Sequence, residues 1–265
     1  MRVNDLTPSS SIINPLQRLL QTVADACPEG LQTQLTFCND RRAQVFDQSR
    51  ESVTKNDEAT EVTSVHVTPR DGHDRFALKL VKFMRVFADR FFAKRYGHRA
   101  VVLETVAAVP GMVGGLLQHL KAIRHIREDQ GWIRELLEEA DNERMHLMTF
   151  IHIAEPSRLE RLLIMIGQAI FYNFYFFLYL FAPRTAHRVV AYLEEEAVVS
   201  YTQYLEEVDA GRVENVPAPE VAIEYWNLPK DARLREVIIA VRADEAGHRD
   251  KNHEFADQIA SGAHH

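Results

Sequence analysis

From about residue 75 onward, apolar side chains recur at the three- and four-residue spacing of amphipathic α-helices. Prolines mark the breaks: Glu155 precedes Pro156 and leaves the α region, and Pro183 suits a first helical turn. Pro110 should kink the helix that contains it. No segment shows strand-like alternation, so the pattern predicts an all-α fold. The predicted helices cover about 74–96, 99–127, 129–154, 157–182, 183–211 and 231–259, with a short one at 224–226.

The chain divides by composition into three parts. Residues 1–73 are polar and lack a sustained period, which is typical of a flexible tail, 74–259 form the helical domain, and 260–265 a second tail. The N-terminal stretch has no long apolar core of a secretory signal. A mitochondrial targeting segment stays open, because Arg2 favours one while Asp5 does not.

Composition and charge narrow the class of protein. The 265 residues are 46% hydrophobic and 26% charged, enough for a sizeable core. A net charge of −7 argues against a nucleic-acid partner. The two cysteines, Cys27 and Cys38, are too few for a disulfide framework and indicate a reducing compartment.

Two helices carry the same Glu-x-x-His spacing, Glu143 with His146 and Glu245 with His248. Residues three apart share one helix face. Two such pairs, plus one glutamate from each of two other helices, form the ligand set of di-iron carboxylate bundles. Glu104 lies in an apolar run, where an unpaired acid is costly to bury. Carboxylate and imidazole ligands without sulfur suit iron or manganese.

The fifth predicted helix offers three consecutive acids, Glu194, Glu195 and Glu196. Neighbouring positions on a helix point about 100° apart, so only one of them faces the metals squarely. Tyr201 lies seven residues after Glu194, on nearly the same face. If Tyr201 is near the metals, Glu194 is the ligand, Glu195 is structural or solvated, and Glu196 supports the ligands or lines a pocket.

Four segments, in this order, resemble the signature motifs of the alternative oxidases. They are Leu103-Glu104-Thr105, Asn142-Glu143-Arg144-Met145-His146-Leu147, Leu193-Glu194-Glu195-Glu196-Ala197 and Arg242-Ala243-Asp244-Glu245-Ala246-Gly247-His248. The resemblance covers about residues 75–258. It implies a dimeric four-helix di-iron bundle, with two further long membrane-facing helices, attached to one leaflet of the mitochondrial or bacterial inner membrane. The implied reaction oxidises ubiquinol and reduces oxygen to water without pumping protons.

The resemblance also assigns roles to residues. Two iron ions would be bound by Glu104, Glu143, His146, Glu194, Glu245 and His248. Tyr201 would be a redox-active tyrosine beside them, the alternative being a buried hydrogen-bonding phenol. The quinol pocket would include Arg99, Leu103, Glu196, Ala197 and Ser200, and the side chains that orient the ligands would be Asn142, Asp244, Tyr225 and Trp226. Gly247 and Ser200 depart from the bulkier residue and the threonine that are usual in the family.

The membrane attachment has independent support in the sequence. The stretch 162–182 is long and apolar enough to cross a bilayer. Basic residues at both ends and tyrosines along its length better suit a helix lying in one interface. The stretch 109–120, followed by Lys121 and Arg124, adds a second apolar surface. The alternative is two buried helices of a soluble bundle. The basic ends consist of Arg158, Arg161, Arg184, His187 and Arg188, and the tyrosines are Tyr172, Tyr175 and Tyr179.

Three other functions share part of the pattern. A soluble ferritin-like or radical-generating reductase protein shares the ligands but needs no exposed apolar helix. A quinone-biosynthesis hydroxylase shares ligands and membrane but inserts oxygen into its substrate. A helical scaffold leaves Glu104 and both Glu-x-x-His pairs without a purpose, although a single such pair is commonly a solvated surface pair.

Overall fold

The computed structural model describes residues 65–92 and 95–263, all helical or irregular apart from one isolated β-bridge. Most of the predicted 1–73 tail therefore lies outside the described residues. The all-α prediction is confirmed, and the helix boundaries agree to within a few residues. The helices are α1 Gly72–Phe92, α2 Tyr96–His125, α3 Trp132–Ala154, α4 Arg158–Phe181, α5 Pro183–Asp209, α6 Glu220–Tyr225 and α7 Leu234–Ser261.

Two helix pairs build the bundle, α2 with α3 and α5 with α7. The first pair packs very closely at Gly111, where an added Cβ would lie 2.3 Å from the Leu136 carbonyl oxygen and 2.9 Å from Ala140 Cβ. α2 runs unbroken through Pro110 at this point. Because Gly111 has no side chain, the backbones of α2 and α3 can approach each other closely at this point.

Apolar clusters lie on both sides of the level at which the predicted ligands occur. One cluster joins α2, α3, α5 and α7, and the other joins α2, α4 and α5. The first includes Val101, Phe150, Tyr201, Tyr204 and Ile238, and the second includes Val109, Val113, Tyr175, Tyr179 and Val190. Because Glu104 lies between Val101 and Val109 on α2, the ligand level is enclosed by apolar packing.

The helix α1 is fixed to the bundle by a buried ion pair. Arg188 Nε donates to Asp74 Oδ1 at 3.0 Å, and its guanidinium also donates to Asp257 of α7. Arg188 and His187 are both fully buried. The prediction that these two residues form a basic membrane flank is therefore wrong, because an acid from α1 pairs with the arginine inside the fold.

One side of α4 is apolar and exposed. Its N-cap is Ser157, with a reciprocal capping box to Glu160. Of the predicted interfacial tyrosines, Tyr175 and Tyr179 are buried and only Tyr172 is exposed. The exposed apolar residues of α4 include Leu159, Leu162, Leu163, Met165, Ile166, Ile170, Phe174, Phe177, Leu180 and Phe181.

Two of the described helices, α2 and α4, have the length and composition needed to cross a bilayer. They differ in burial: 61% of the most apolar stretch of α2 is buried, against 11% for α4. Packing inside the bundle is therefore enough to explain the apolar composition of α2. The exposed apolar side of α4 is not covered by other described residues, which supports contact with lipid.

Candidate metal centre

Three helices bring four of the predicted metal ligands to one level of the bundle. Glu104 comes from α2, Glu143 and His146 from α3, and Glu245 from α7. One ligand atom from each of these four residues lies within 4.8 Å of the others. All four side chains are buried, with exposed fractions of 2% or less. The Glu-x-x-His pairs are thus not solvated surface pairs.

The ring of His146 points one nitrogen at this cluster. Its Nδ1 lies 3.3 Å from Glu104 Oε2, 3.4 Å from Glu143 Oε2 and 3.3 Å from Glu245 Oε1. The second histidine, His248, places Nδ1 2.6 Å from Glu143 Oε1. Both histidines and three carboxylates therefore converge on the same small volume.

Several buried atoms of these side chains have no partner in hydrogen-bond geometry among the described residues. They are Glu104 Oε2, both oxygens of Glu143, Glu245 Oε2 and the Nδ1 atoms of His146 and His248. Buried polar atoms without a partner are costly. A donor set of carboxylate oxygens and imidazole nitrogens is what iron or manganese binds. The residues present therefore fit a metal, and the cluster is able to bind one.

The electrostatics of the cluster also favour a cation. Burial raises the pKa of Glu104 well above its usual value, and repulsion from Glu245 and Glu143 adds to it. Burial also raises the pKa of Glu143, but attraction to His146 and His248 outweighs it and holds the pKa well below its usual value. Burial lowers the pKa of His248, whereas Glu143 raises it to about 9. Without a metal, protons on some of these groups offset the negative charge, and metal binding would release them.

A hydrogen-bond network holds the outer side of His146. Its Nε2 lies 3.2 Å from Asp244 Oδ2, which also accepts from Trp226 Nε1 at 2.8 Å and from Asn142 Nδ2 at 2.9 Å. Asn142 donates in addition to the Tyr225 hydroxyl at 3.0 Å. Because the Asp244 carboxylate accepts a hydrogen bond from Nε2–H, the Nδ1 lone pair faces the cluster. The structure thus brings together the four residues expected to orient ligands.

The three consecutive acids of α5 take three different environments. Glu194 is buried, and burial together with repulsion from Glu245 raises its pKa well above its usual value. Glu195 accepts from the backbone amide of Val67 at 3.0 Å and lies 2.9 Å from His253 Nε2. Glu196 is half-buried and contacts a basic side chain of α1. Glu194 therefore faces the cluster carboxylates and Glu195 is structural.

Tyr201 lies beside the cluster on the same helix as Glu194. Its hydroxyl donates a hydrogen bond to Glu104, and its ring stacks on Phe150 with centroids 5.6 Å apart. Burial and the nearby Glu104 raise the pKa of the phenol well above its usual value, so it keeps its proton. The phenol is thus in position to hold a proton next to the ligands.

Arg99 and Glu196, two residues of the predicted quinol pocket, are connected by ion pairs to side chains of α1. Arg99 Nη1 donates to Asp89 Oδ1 at 2.6 Å, Asp89 pairs with Arg85 at 3.2 Å, and Arg85 donates to Glu196. Arg85 and Asp89 were not predicted from the sequence, although their i,i+4 spacing on α1 is a signal for such a pair. The remaining pocket residues, Leu103, Ala197 and Ser200, are buried or half-buried on α2 and α5 beside Glu104, Glu196 and Tyr201.

One buried acid near the cluster was also missed. Glu139 lies one turn before Glu143 on α3 and accepts from Asn252 Nδ2 at 2.9 Å. Burial raises the pKa of Glu139 to about 7, with smaller opposing effects from His248 and Glu143. Its four-residue spacing from Glu143, on the same helix face, could have revealed it.

Comparison with known proteins agrees with these motifs. The sequence matches the family model for alternative oxidase over residues 54–257. The chain belongs to the alternative oxidase family. It is 57% identical over 195 residues to a mitochondrial ubiquinol oxidase of Batrachochytrium dendrobatidis. It is 56% identical over 197 residues to a mitochondrial ubiquinol oxidase of Mangifera indica, and 55% identical over 210 residues to the mitochondrial alternative oxidase 3 of Glycine max.

The resemblance to the alternative oxidases is thereby confirmed. The matched regions cover 74%, 74% and 79% of this chain. The chain spans less than two thirds of those alternative oxidase relatives, 62%, 62% and 63% of their lengths. The match includes all four motif segments, from Glu104 to His248.

Proposed function

We propose that this alternative oxidase family member is a membrane-associated ubiquinol oxidase that reduces oxygen to water without pumping protons. The observation that carries the proposal is the buried cluster of unpartnered carboxylate and imidazole atoms inside a helical bundle. Relatives matched over about three quarters of the chain are named ubiquinol oxidase. A scaffold protein would have no use for such a costly cluster.

The proposed cofactor is a pair of iron ions. Glu104, Glu143, His146, Glu194, Glu245 and His248 would hold them. When bound, two irons supply the reversible one-electron chemistry that reduction of oxygen by quinol needs and that these side chains lack. The apolar clusters on both sides of the ligand level keep bulk water out.

The protein's own groups would perform the remaining tasks. Asp244 keeps the proton of His146 on Nε2, so that Nδ1 stays available as a ligand atom. The phenolic oxygen of Tyr201 holds a proton beside Glu104 and is a candidate redox-active group. Arg99 and Glu196 would position the ubiquinol headgroup, together with Leu103, Ala197 and Ser200. The Arg85–Asp89 pair fixes the conformations of Arg99 and Glu196.

The proposed location is one leaflet of an inner membrane, bacterial or mitochondrial, with a homodimer as the assembled form. Several relatives are named mitochondrial. The exposed apolar side of α4 supports contact with lipid, and Arg158 and Arg161 at its start are exposed as expected for headgroup contacts. Burial of most of the apolar stretch of α2 leaves α4 as the main lipid-facing helix.

Product analysis tests the proposal against a di-iron hydroxylase. Purified iron-loaded protein is supplied with short-chain ubiquinol and ¹⁸O-labelled oxygen. The proposal predicts that the label appears in water and that the quinone gains no oxygen. Label in the quinone would establish a hydroxylase, and protein that binds iron without consuming quinol would favour a ferritin-like function.

A further inference from the structure

A second polar layer lies one helical turn beyond the proposed ligands. On α3 the turn before Glu143 carries Glu139, and on α7 the turn after His248 carries Asn252. In both layers a glutamate of α3 contacts a side chain of α7. Glu143 contacts His248, and Glu139 accepts a hydrogen bond from Asn252 Nδ2 at 2.9 Å. Asn252 also donates to the His248 carbonyl oxygen at 3.0 Å, which ties the second layer to the first.

The carboxyl of Glu139 is enclosed without an ion pair to any described residue. The side chain is 6% exposed, and among the described residues its carboxyl accepts one hydrogen bond, from the uncharged amide of Asn252. Other buried acids outside the ligand set differ. Glu195 contacts two histidines, and Asp74 pairs with Arg188. Burial disfavours the charged carboxylate of Glu139, and this effect outweighs the attraction of His248, so the neutral acid is favoured.

Further hydrogen bonds hold the amide of Asn252 in place. Its Oδ1 lies 2.9 Å from His187 Nδ1, and His187 Nε2 lies 3.1 Å from the Tyr179 hydroxyl. Gln118 donates to that hydroxyl at 3.0 Å. Since the amide oxygen of Asn252 is hydrogen-bonded to His187, the NH₂ group of Asn252 points at Glu139. The network thereby keeps an uncharged amide donor, rather than a cation, on the carboxyl.

We propose that Glu139 is a proton-holding residue of this site, a neutral carboxylic acid that delivers a proton to oxygen being reduced, and that Asn252 is its positioning residue. The proposal rests on the oxidase function proposed above. Carboxylates that bind metal have given up their protons, so a carboxyl that supplies a proton must lie outside the ligand set. Glu139 is such a carboxyl, on the same helix face as Glu143.

The proton balance closes with the substrates of the reaction. Two ubiquinols supply four electrons and four protons, and one oxygen molecule becomes two waters. Glu139 gives the proton of its carboxyl to a reduced oxygen atom and becomes a carboxylate. A proton from a following quinol restores the acid. Glu139 only loses and regains a proton, so no oxidant or reductant is needed besides oxygen and quinol.

The test compares Glu139→Gln with wild type and with Glu138→Gln. The glutamine amide of E139Q keeps the shape of the side chain and still accepts from Asn252, but it has no acidic proton. Glu138 is exposed on the same helix and pairs with Arg134, so its variant controls for a lost surface charge. We expect E139Q to keep its iron content while quinol-driven oxygen uptake falls on the order of 10²-fold. Glu139→Asp should restore part of the rate, and E138Q should match wild type.

A second readout does not depend on turnover. Infrared spectra at neutral pH should show a protonated-carboxyl band that E139Q lacks and E138Q retains, in iron-loaded and in metal-free protein. Full turnover in E139Q, or no missing band, would overturn the proposal. Loss of iron in both E139Q and E139D would also overturn it, because Glu139 would then help to hold the metal. Wild-type protein that consumes no quinol would refute the oxidase function, while the infrared comparison would still report on Glu139.

Discussion

The hydroxyl of Tyr201 on α5 donates a hydrogen bond to Glu104 on α2. This contact joins the two helix pairs of the bundle at the level of the proposed metal ligands. It also indicates how α5 is rotated, because Tyr201 reaches the cluster and Glu194, seven residues earlier, lies on nearly the same face of the helix. Tyr201 thus contacts a proposed ligand directly.

Removal of the Tyr201 hydroxyl should separate catalysis from metal binding. We expect Tyr201→Phe to keep both irons and its helical content, because the ring still stacks on Phe150. Turnover should fall on the order of 10²-fold, since Phe has no proton to supply. Tyr204→Phe, a buried neighbour stacked on Tyr96, is the matched control and should retain activity. Equal turnover in Y201F and wild type would reduce Tyr201 to a structural phenol.

The neighbouring acids of α5 should respond in opposite ways. Glu194→Gln should weaken iron binding, because it removes a charged ligand facing Glu245. Glu195→Gln should keep iron but lower the free energy of unfolding by about 2 kcal/mol, since its carboxylate loses charged hydrogen bonds to His253 and Val67. Iron analysis and chemical denaturation measure both effects. Iron lost from E195Q and kept in E194Q would show that α5 is rotated relative to this assignment.

Two glycine substitutions should change stability with opposite sign. In Gly111→Ala the new Cβ would meet the Leu136 carbonyl oxygen at 2.3 Å, so α2 and α3 must move apart. Overpacking of this kind costs about 1–3 kcal/mol. In Gly247→Ala the Cβ has no neighbour within 4 Å, and the helix gains about 0.5–1 kcal/mol from the lower backbone entropy of alanine. Denaturant unfolding of both variants measures the difference, and a stabilised G111A would contradict the close approach.

The membrane proposal is tested on the exposed side of α4. We expect Ile170→Lys, at a position that is 67% exposed, to reduce binding to vesicles without loss of helical content. Leu137→Lys on α3, at an exposed apolar position outside α4, is the control and should bind as wild type does. In sealed vesicles both termini should be cleaved by protease from the same side. Termini accessible from opposite sides would show that a helix crosses the bilayer.

The sequence predicted the helices well because local signals determine them. Proline at positions 156 and 183 marks helix boundaries that the structure reproduces, and Ser157 caps the helix that begins after Pro156. The spacing of Glu143 with His146 also determines which side chains share a face. These features depend on residues within a few turns of each other, so they are readable without knowledge of the tertiary fold.

Features that depend on distant residues were not predictable in the same way. Arg188 follows an apolar stretch and resembles a membrane flank, but its partner Asp74 lies 114 residues away on α1. The burial of Tyr175 likewise depends on helices that the local pattern does not place. Glu139 was missed for another reason: it belongs to a run of surface-like acids, and its partner Asn252 is on a different helix.

The sharpest test of the proposed oxidase is oxygen uptake by purified iron-loaded protein with short-chain ubiquinol in the presence of cyanide. We expect uptake to continue in cyanide, because the proposed ligands bind iron without haem. We also expect that Glu104→Ala abolishes both the uptake and the bound iron, while Glu138→Gln changes neither. Uptake stopped by cyanide, or an E104A protein with full iron and full activity, would contradict the account.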